Sequence, residues 1–228
     1  MSKALVLHSG GIDSSTCLAI AREMFDMVES ISIDYGQRHS REIDAAHEVS
    51  TFFGIHHRVV DMPEPPKSML TDSNAPVPNI SYDEITGVSP TYVPFRNGQL
   101  LARLAGIAQD EGADAIFFGA HAEDAKNWAY PDCTPEFIGA MANAIWVGTY
   151  MKVRLHTPIQ WMFKHEIIAL GAKLGVPFEL TWSCYKGEHL HCGVCPTCRA
   201  RRSGFEKAGV ADLTKYANDP NDPDGAPF

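Results

Sequence analysis

The stretch Ala4-Leu5-Val6-Leu7-His8-Ser9-Gly10-Gly11-Ile12-Asp13-Ser14-Ser15-Thr16-Cys17-Leu18-Ala19-Ile20-Ala21 decides the fold. Its first four residues read as a buried strand and the run from Thr16 onward as a helix, so the Ser-Gly-Gly turn delivers the chain to a helix N-terminus. Gly10 and Gly11 let the backbone approach a ligand without interference from a Cβ. Ser9, Ser14, Ser15 and the free N–H groups of the helix start aim donors at an anion. The helix dipole adds positive potential at the same place. A Walker loop, Gly-x4-Gly-Lys-Ser/Thr, and a dinucleotide fingerprint, Gly-x-Gly-x2-Gly, are both absent. The string is a phosphate cradle of another kind, weighed against an ordinary Gly-rich turn.

Beyond the cradle, β-branched runs at 30–34, 57–61 and 115–119 join the strand at 4–8, and helical patterns lie at 15–24, 40–53, 99–111 and 163–174. This alternation predicts an α/β fold, a doubly wound parallel sheet with right-handed crossovers and a ligand site outside the carboxyl ends of the strands. The segment 62–94 carries seven prolines (Pro63, Pro65, Pro66, Pro76, Pro78, Pro90 and Pro94) and reads as a binding flap or a disordered loop. The tail 218–225 is polar and turn-rich, which predicts a loose end.

The 228 residues, 45% of them hydrophobic, are enough for one domain with a small appendage. A formal charge of −9 argues against a field that gathers nucleic acid, so a small molecule is the expected partner. Met1-Ser2-Lys3 leads straight into a strand, and no apolar run reaches the roughly 18 residues of a membrane span. A cytoplasmic protein without membrane contact is expected.

Four of the six cysteines crowd into the C-terminal quarter: Cys184, then Cys192-Gly193-Val194-Cys195-Pro196-Thr197-Cys198. In a reducing compartment this spacing favours a metal over disulfides, and four thiolates suit a tetrahedral Zn²⁺. Such a closed shell has no open position, so the zinc is expected to be structural and its binding energy to become folding energy. An iron–sulfur cluster is the alternative for the same ligands. His189 and His191 are alternative ligands to Cys184, or simply solvated loop histidines. The expected division is a 1–180 α/β domain with a 181–228 zinc-stapled helical segment packed on it.

The Ser-Gly-Gly-x-Asp-Ser string resembles the PP-loop of the ATP pyrophosphatases, enzymes of the adenine-nucleotide alpha-hydrolase type that cut ATP between its α- and β-phosphates. Further strings resemble one family within them, the 7-cyano-7-deazaguanine synthases of the queuosine pathway. They are Asp34-Tyr35-Gly36-Gln37-Arg38-His39 with Glu42, Val93-Pro94-Phe95-Arg96-Asn97, Tyr130-Pro131-Asp132-Cys133, and Ser183-Cys184-Tyr185 leading into the cysteine string. The resemblance implies conversion of 7-carboxy-7-deazaguanine and ammonia to the 7-cyano base at the expense of ATP with Mg²⁺, in a homodimer.

It also implies roles. His8, Ser9, Gly10, Gly11, Ile12, Asp13, Ser14, Ser15 and Thr16 are expected to hold the nucleotide, with Gln37 and Arg38 near the adenine or phosphates. Asp13 contacts phosphate or Mg²⁺, or merely caps the helix. Lys164, in Phe163-Lys164-His165-Glu166, would neutralise the transferring phosphates, or lie solvated on a helix face. Arg96, like Arg38, is expected to grip phosphate or carboxylate through its guanidinium fork, the alternative being a surface salt bridge. Asn97 is expected near the substrate. Asp132 or Asp124 would accept from the guanine-like edge while Tyr130 stacks on the base. Cys133 is expected to pack or position, Cys17 to face the core, and Arg199, Arg201 and Arg202 to form a solvated helix face, an anion site or a subunit contact. Two other functions fit parts of the sequence: a tRNA-modifying PP-loop enzyme, disfavoured by the charge, and a non-catalytic nucleotide-binding module.

Overall fold

Five strands form one parallel sheet in the order β3-β2-β1-β4-β5: β1 (Lys3–Leu7), β2 (Met27–Asp34), β3 (His56–Asp61), β4 (Ala115–Phe117) and β5 (Arg154–His156). The structure is a computed structural model and describes residues 1–36, 41–62, 68, 86–186 and 189–218. The helices are α1 (Ile12–Met24), α2 (Arg41–Phe52), α3 (Arg96–Asp110), the short α4 (Ala122–Ala125), α5 (Pro135–Gly148), α6 (Lys164–Lys173) and α7 (Pro196–Ala208). Gln37, Arg38 and His39, most of the proline-rich segment and the tail beyond 218 lie outside the described residues.

The expected α/β class and four of its strands are present, and β5, α5 and the four-residue α4 are elements that the sequence reading lacks. β5 is a three-residue edge strand, Arg154-Leu155-His156, too short to show a period. α5 starts at Pro135 after a Thr134 cap whose side chain accepts from Phe137 N, a normal helix signal that the neighbouring Tyr-Pro-Asp-Cys string obscured.

Apolar residues pack on both faces of the sheet. Leu5, Ile31 and Ile116 meet Leu101 and Leu104 of α3 on one side; Val6 and Phe117 meet Leu18 of α1 and Ile167 and Ile168 of α6 on the other. Strand order reverses between β1 and β4, the topological switch point at which ligand sites form in such sheets. The turn after β1 (His8 to Gly11) and the turn after β4 (Phe118 to His121) therefore face one another across the crevice.

The two glycines of the cradle differ. Gly10 has φ +73°, and a Cβ there would lie 2.4 Å from the Glu42 carbonyl oxygen and 2.6 Å from Ala46 N. The close approach that Gly10 permits is to α2, not to a ligand. A Cβ on Gly11 would meet nothing nearer than 3.5 Å. Thermal unfolding should separate them: Gly10→Ala is expected to lose stability by several kcal/mol, on the order of backbone strain plus overpacking, whereas Gly11→Ala should melt close to the parent. Equal melting temperatures for the two variants would contradict this assignment.

Candidate active site and metal centre

At the carboxyl end of β1, α1 begins with Gly11 as its N-cap and no side-chain cap, which leaves the N–H groups of its first turn free to face the crevice. Ser14 Oγ accepts from Ser9 N at 3.2 Å and contacts Ser9 Oγ at 3.1 Å, so the two hydroxyls tie the loop across its mouth. Ser15 and Thr16 are fully buried; Thr16 Oγ1 bonds back to Ile12 O, and Ile12 belongs to the core. His8, Ser9, Asp13 and Ser14 line a cavity of ≈ 270 Å³, and Gly11, Ile12 and Asp13 line a second of ≈ 150 Å³. Asp13, Glu42, Asp124 and Tyr185 line both, so the two cavities adjoin.

Lys164 arrives from the first turn of α6, and its Nζ lies 2.7 Å from both carboxylate oxygens of Asp13. The pairing depends on close packing: Gly204 of α7 sits against the Lys164 stem, where a Cβ would be 2.9 Å from Lys164 Cγ. His121, buried at the end of the turn after β4, completes the group. Its Nε2 is 3.1 Å from Lys164 Nζ, 3.6 Å from Asp13 and 3.3 Å from Asp124. Burial opposes ionisation of Asp13, but Lys164 and His121 outweigh it and hold the carboxyl below the usual range. For Lys164, burial pulls the ammonium down and Asp13, then Asp124, pull it up further, so it stays charged. His121 Nδ1 is buried with no partner among the described residues. His121 was not among the sequence candidates; the switch-point rule applied to the strand at 115–119 would have selected it.

The larger cavity carries the remaining candidates. Arg96 opens α3, its Nη1 donates to Tyr35 Oη at 3.3 Å, and its guanidinium stands 5.7 Å from the Tyr35 ring centre. Among the described residues no carboxylate forms an ion pair with Arg96. Asn97 lines the same cavity, its amide donating to Cys133 Sγ at 3.2 Å. Burial pushes the Cys133 thiol well up, away from nucleophilic character. Glu42 projects between the cavities, and burial, partly offset by Arg96, pushes its carboxyl up to about 7.

Two expected substrate contacts have polar atoms engaged within the protein. Asp132 is buried and accepts from Asn97 N at 2.9 Å, capping the first turn of α3 in place of lining the cavity. The hydroxyl of Tyr130 is engaged by Thr91 at 2.6 Å and Ser89 at 3.1 Å. Of Asp132 and Asp124 it is Asp124 that lines the cavity, and Tyr35, Phe118 and Tyr185 are among its walls.

Cys184, Cys192, Cys195 and Cys198 place their sulfurs within 4.8 Å of one another. The Cys184–Cys195 and Cys192–Cys198 separations, 3.9 and 4.0 Å, approach the about 3.8 Å edge of a tetrahedron with metal–sulfur bonds of about 2.3 Å. Backbone N–H groups of Lys186 and Cys192 point at Cys184 Sγ, and that of Cys195 at Cys192 Sγ, each at 3.3 Å, as thiolates require. The cluster fits one metal ion. His191 is neither ligand nor solvated: it is buried between Trp182 and Tyr216, accepts from Ser183 N, and burial lowers its pKa to about 3. Arg201 also departs from the expected solvated face. It is 1% exposed and donates to Thr181, Ser183 and Thr214 hydroxyls and Phe178 O, stapling α7 to chain segments on both sides of it.

The chain matches the model of the family described as queuosine biosynthesis protein QueC over residues 3–209. It is 44% identical over 225 residues to the 7-cyano-7-deazaguanine synthase of Thermoplasma volcanium, covering 96% of this chain and 92% of that one. To the synthases of Cupriavidus pinatubonensis and Nautilia profundicola it is 42% and 40% identical, covering 95% of this chain in each case and 98% and 99% of theirs. With the cradle, the lysine–aspartate pair and the four-cysteine cluster in place, the chain belongs to the QueC family of queuosine biosynthesis proteins.

Proposed function

We propose that this chain is a 7-cyano-7-deazaguanine synthase, converting 7-carboxy-7-deazaguanine and ammonia to the nitrile with two molecules of ATP. The observation that carries the reading is the pair of adjoining cavities: one built on the helix N-terminus, Asp13 and Lys164, the other walled by Arg96, Asn97, Tyr35 and Tyr185. The first suits a triphosphate and the second a flat base bearing a carboxylate, with the α-phosphate falling between them.

A carboxylate is a poor electrophile at neutral pH. Its attack on the α-phosphate releases pyrophosphate and leaves an acyl adenylate; ammonia displaces AMP and gives the amide. Attack of the amide oxygen on a second α-phosphate, then loss of AMP, leaves the nitrile. Arg96 would hold the substrate carboxylate, and Lys164 would neutralise charge on the departing pyrophosphate, a term of several kcal/mol in a water-poor site. Asp13 would hold Mg²⁺, which supplies further charge neutralisation when bound. Glu42, with a carboxyl near neutrality, would take protons from the incoming nitrogen. Asp124 would accept from the amino edge of the base. The cluster of four thiolates suits structural zinc, and the apolar outer side of α5, where Val147 is exposed, suits the expected homodimer.

The direct test is incubation of the zinc-loaded protein with ATP, Mg²⁺, ammonium and the carboxylate, followed by mass spectrometry. The nitrile should appear with AMP and pyrophosphate; an untouched base would contradict the reading. Lys164→Met and Asp13→Asn should each lower turnover by about 100-fold or more, the size of a lost transition-state charge contact.

Glu42 makes a second, pH-dependent prediction. Its folded-state pKa of about 7 lies above the ordinary 4.5, so ionisation costs the folded chain more than the unfolded one. The stability contribution is therefore lost as pH rises from 4.5 to 7 and is flat above. Glu42→Gln removes that loss: the variant should melt higher than the parent at pH 8, with the gap closing toward pH 4.5, while its turnover drops. Parallel melting curves across that range would refute the assignment.

A chelator should lower the melting temperature and weaken ATP binding together, because Trp182 joins the metal cluster to the cradle through its bond to Gly10 O. Undiminished ATP binding by metal-free, folded protein would contradict that link.

A further inference from the structure

Between the cradle and the metal cluster runs Trp182-Ser183-Cys184, and Ser183 has no part in the roles above. Trp182 N donates to Gly10 O at 2.8 Å, and its carbonyl lies against the next residue of the cradle: a Cβ on Gly11 would be 3.6 Å from Trp182 O. Ser183 is thereby set beside the N-terminus of α1. It lines the smaller cavity together with Gly11, Asp13 and Lys164. The chain around it is fixed from both directions, because Ser183 N donates to His191 Nε2 at 3.1 Å and Cys184 belongs to the four-thiolate cluster.

Arg201 sets the direction of the Ser183 hydroxyl. A guanidinium has only protons to offer, so the Ser183 oxygen, 3.2 Å from Arg201 Nη1, accepts. The hydroxyl proton is then left to donate, and no acceptor for it lies among the described residues. Ser183 is half-buried, not sealed in the core, so a ligand in the cavity can meet that proton. Arg201 itself is 1% exposed, gives its hydrogen bonds to neutral oxygens and pairs with Asp212 only at 3.7 Å. So lightly neutralised a cation polarises the hydroxyl it bonds and strengthens it as a donor toward an anion. Thr197, the other aliphatic hydroxyl in this cavity wall, does not compete. Its Oγ1 is 3.2 Å from Cys195 Sγ, and toward a metal-bound thiolate it is the donor.

In the reaction proposed above, the smaller cavity takes the phosphates that leave as pyrophosphate. We infer that Ser183 is a nucleotide-binding residue, its hydroxyl donating to the β- or γ-phosphate of ATP from the segment that carries the metal cluster. That segment then does more than brace the cradle: it supplies a donor to the part of the nucleotide that AMP lacks. Lys164 meets those phosphates as a charge, and Ser183 meets them as a directed hydrogen bond. Release of pyrophosphate empties this contact while AMP keeps its own, so the segment distinguishes the nucleotide that enters from the one that leaves.

This inference rests on the synthase reading for the placement of ATP, and the test separates the two. Calorimetry measures the binding of ATP and of AMP, each with Mg²⁺ and without carboxylate or ammonium, to the full-length, zinc-loaded parent and two variants. Ser183→Ala removes the donor. Ser183→Asp replaces it with an anion that Arg201 can pair, so the fold keeps a partner at this position. The contact predicts that Ser183→Ala binds ATP about 10- to 100-fold more weakly than the parent, the size of one hydrogen bond to a charged group. Ser183→Asp should bind ATP more weakly still, and both variants should bind AMP as the parent does. A merely structural role would weaken ATP and AMP together; that result, or parental ATP affinity in either variant, overturns the contact alone. A parent that does not bind ATP would overturn the synthase reading and the contact with it.

Discussion

The backbone at Gly10 is the constraint on which the site depends. Its φ of +73° turns the chain from β1 into α1, and its α-carbon lies so close to α2 that no side chain fits there. Its carbonyl accepts from Trp182 N at 2.8 Å, and Trp182 packs on the cysteine cluster while its indole N–H bonds Cys184 O. Cradle, α2 and metal segment thus converge on one residue. The same contact brings Glu42 to the junction of the two cavities, so the position of its carboxyl follows from the turn.

Charge is organised locally against the overall balance. The chain carries −9, and several carboxylates border the cavities, yet the site suits polyanions. Lys164, Arg96 and the open start of α1 concentrate positive potential at the crevice, where low dielectric magnifies it, while the net charge is spread over a screened surface. Asp13 is held charged by Lys164 before any ligand arrives. Nucleotide and cation entry would therefore exchange one set of charge pairs for another without exposing an isolated charge, which keeps the cost of desolvation low.

Local strings made much of this legible. The strand-turn-helix context of Ser9 to Ser14 and the spacing of the cysteines are short-range patterns, and each marks a structure formed almost entirely by those residues. What the sequence concealed was long-range. Lys164 stood out as a candidate, but its partner lies 151 residues earlier, and His121 has no local pattern to mark it. Asp132 and Tyr130 belong to a conspicuous string, yet their polar atoms are engaged by Asn97, Ser89 and Thr91, neighbours that only the fold supplies. Arg201 sits among charged residues on a helix and reads as solvated, whereas its fork is satisfied by four groups from outside the helix. β5 was too short for its alternation to register, and Gly10 looked like a ligand contact because the sequence does not show that α2 lies against it.

In the proposed reaction the two adenylations are equivalent: each would remove one oxygen of the substrate carboxylate, and water would take no part. The most direct measurement supplies 7-carboxy-7-deazaguanine with both carboxylate oxygens as ¹⁸O and follows the label by mass spectrometry. Two singly labelled AMP molecules for each nitrile formed, with unlabelled pyrophosphate and solvent, is the predicted result. Label in water, inorganic phosphate or pyrophosphate would contradict activation at the α-phosphate and, with it, the function proposed for this site.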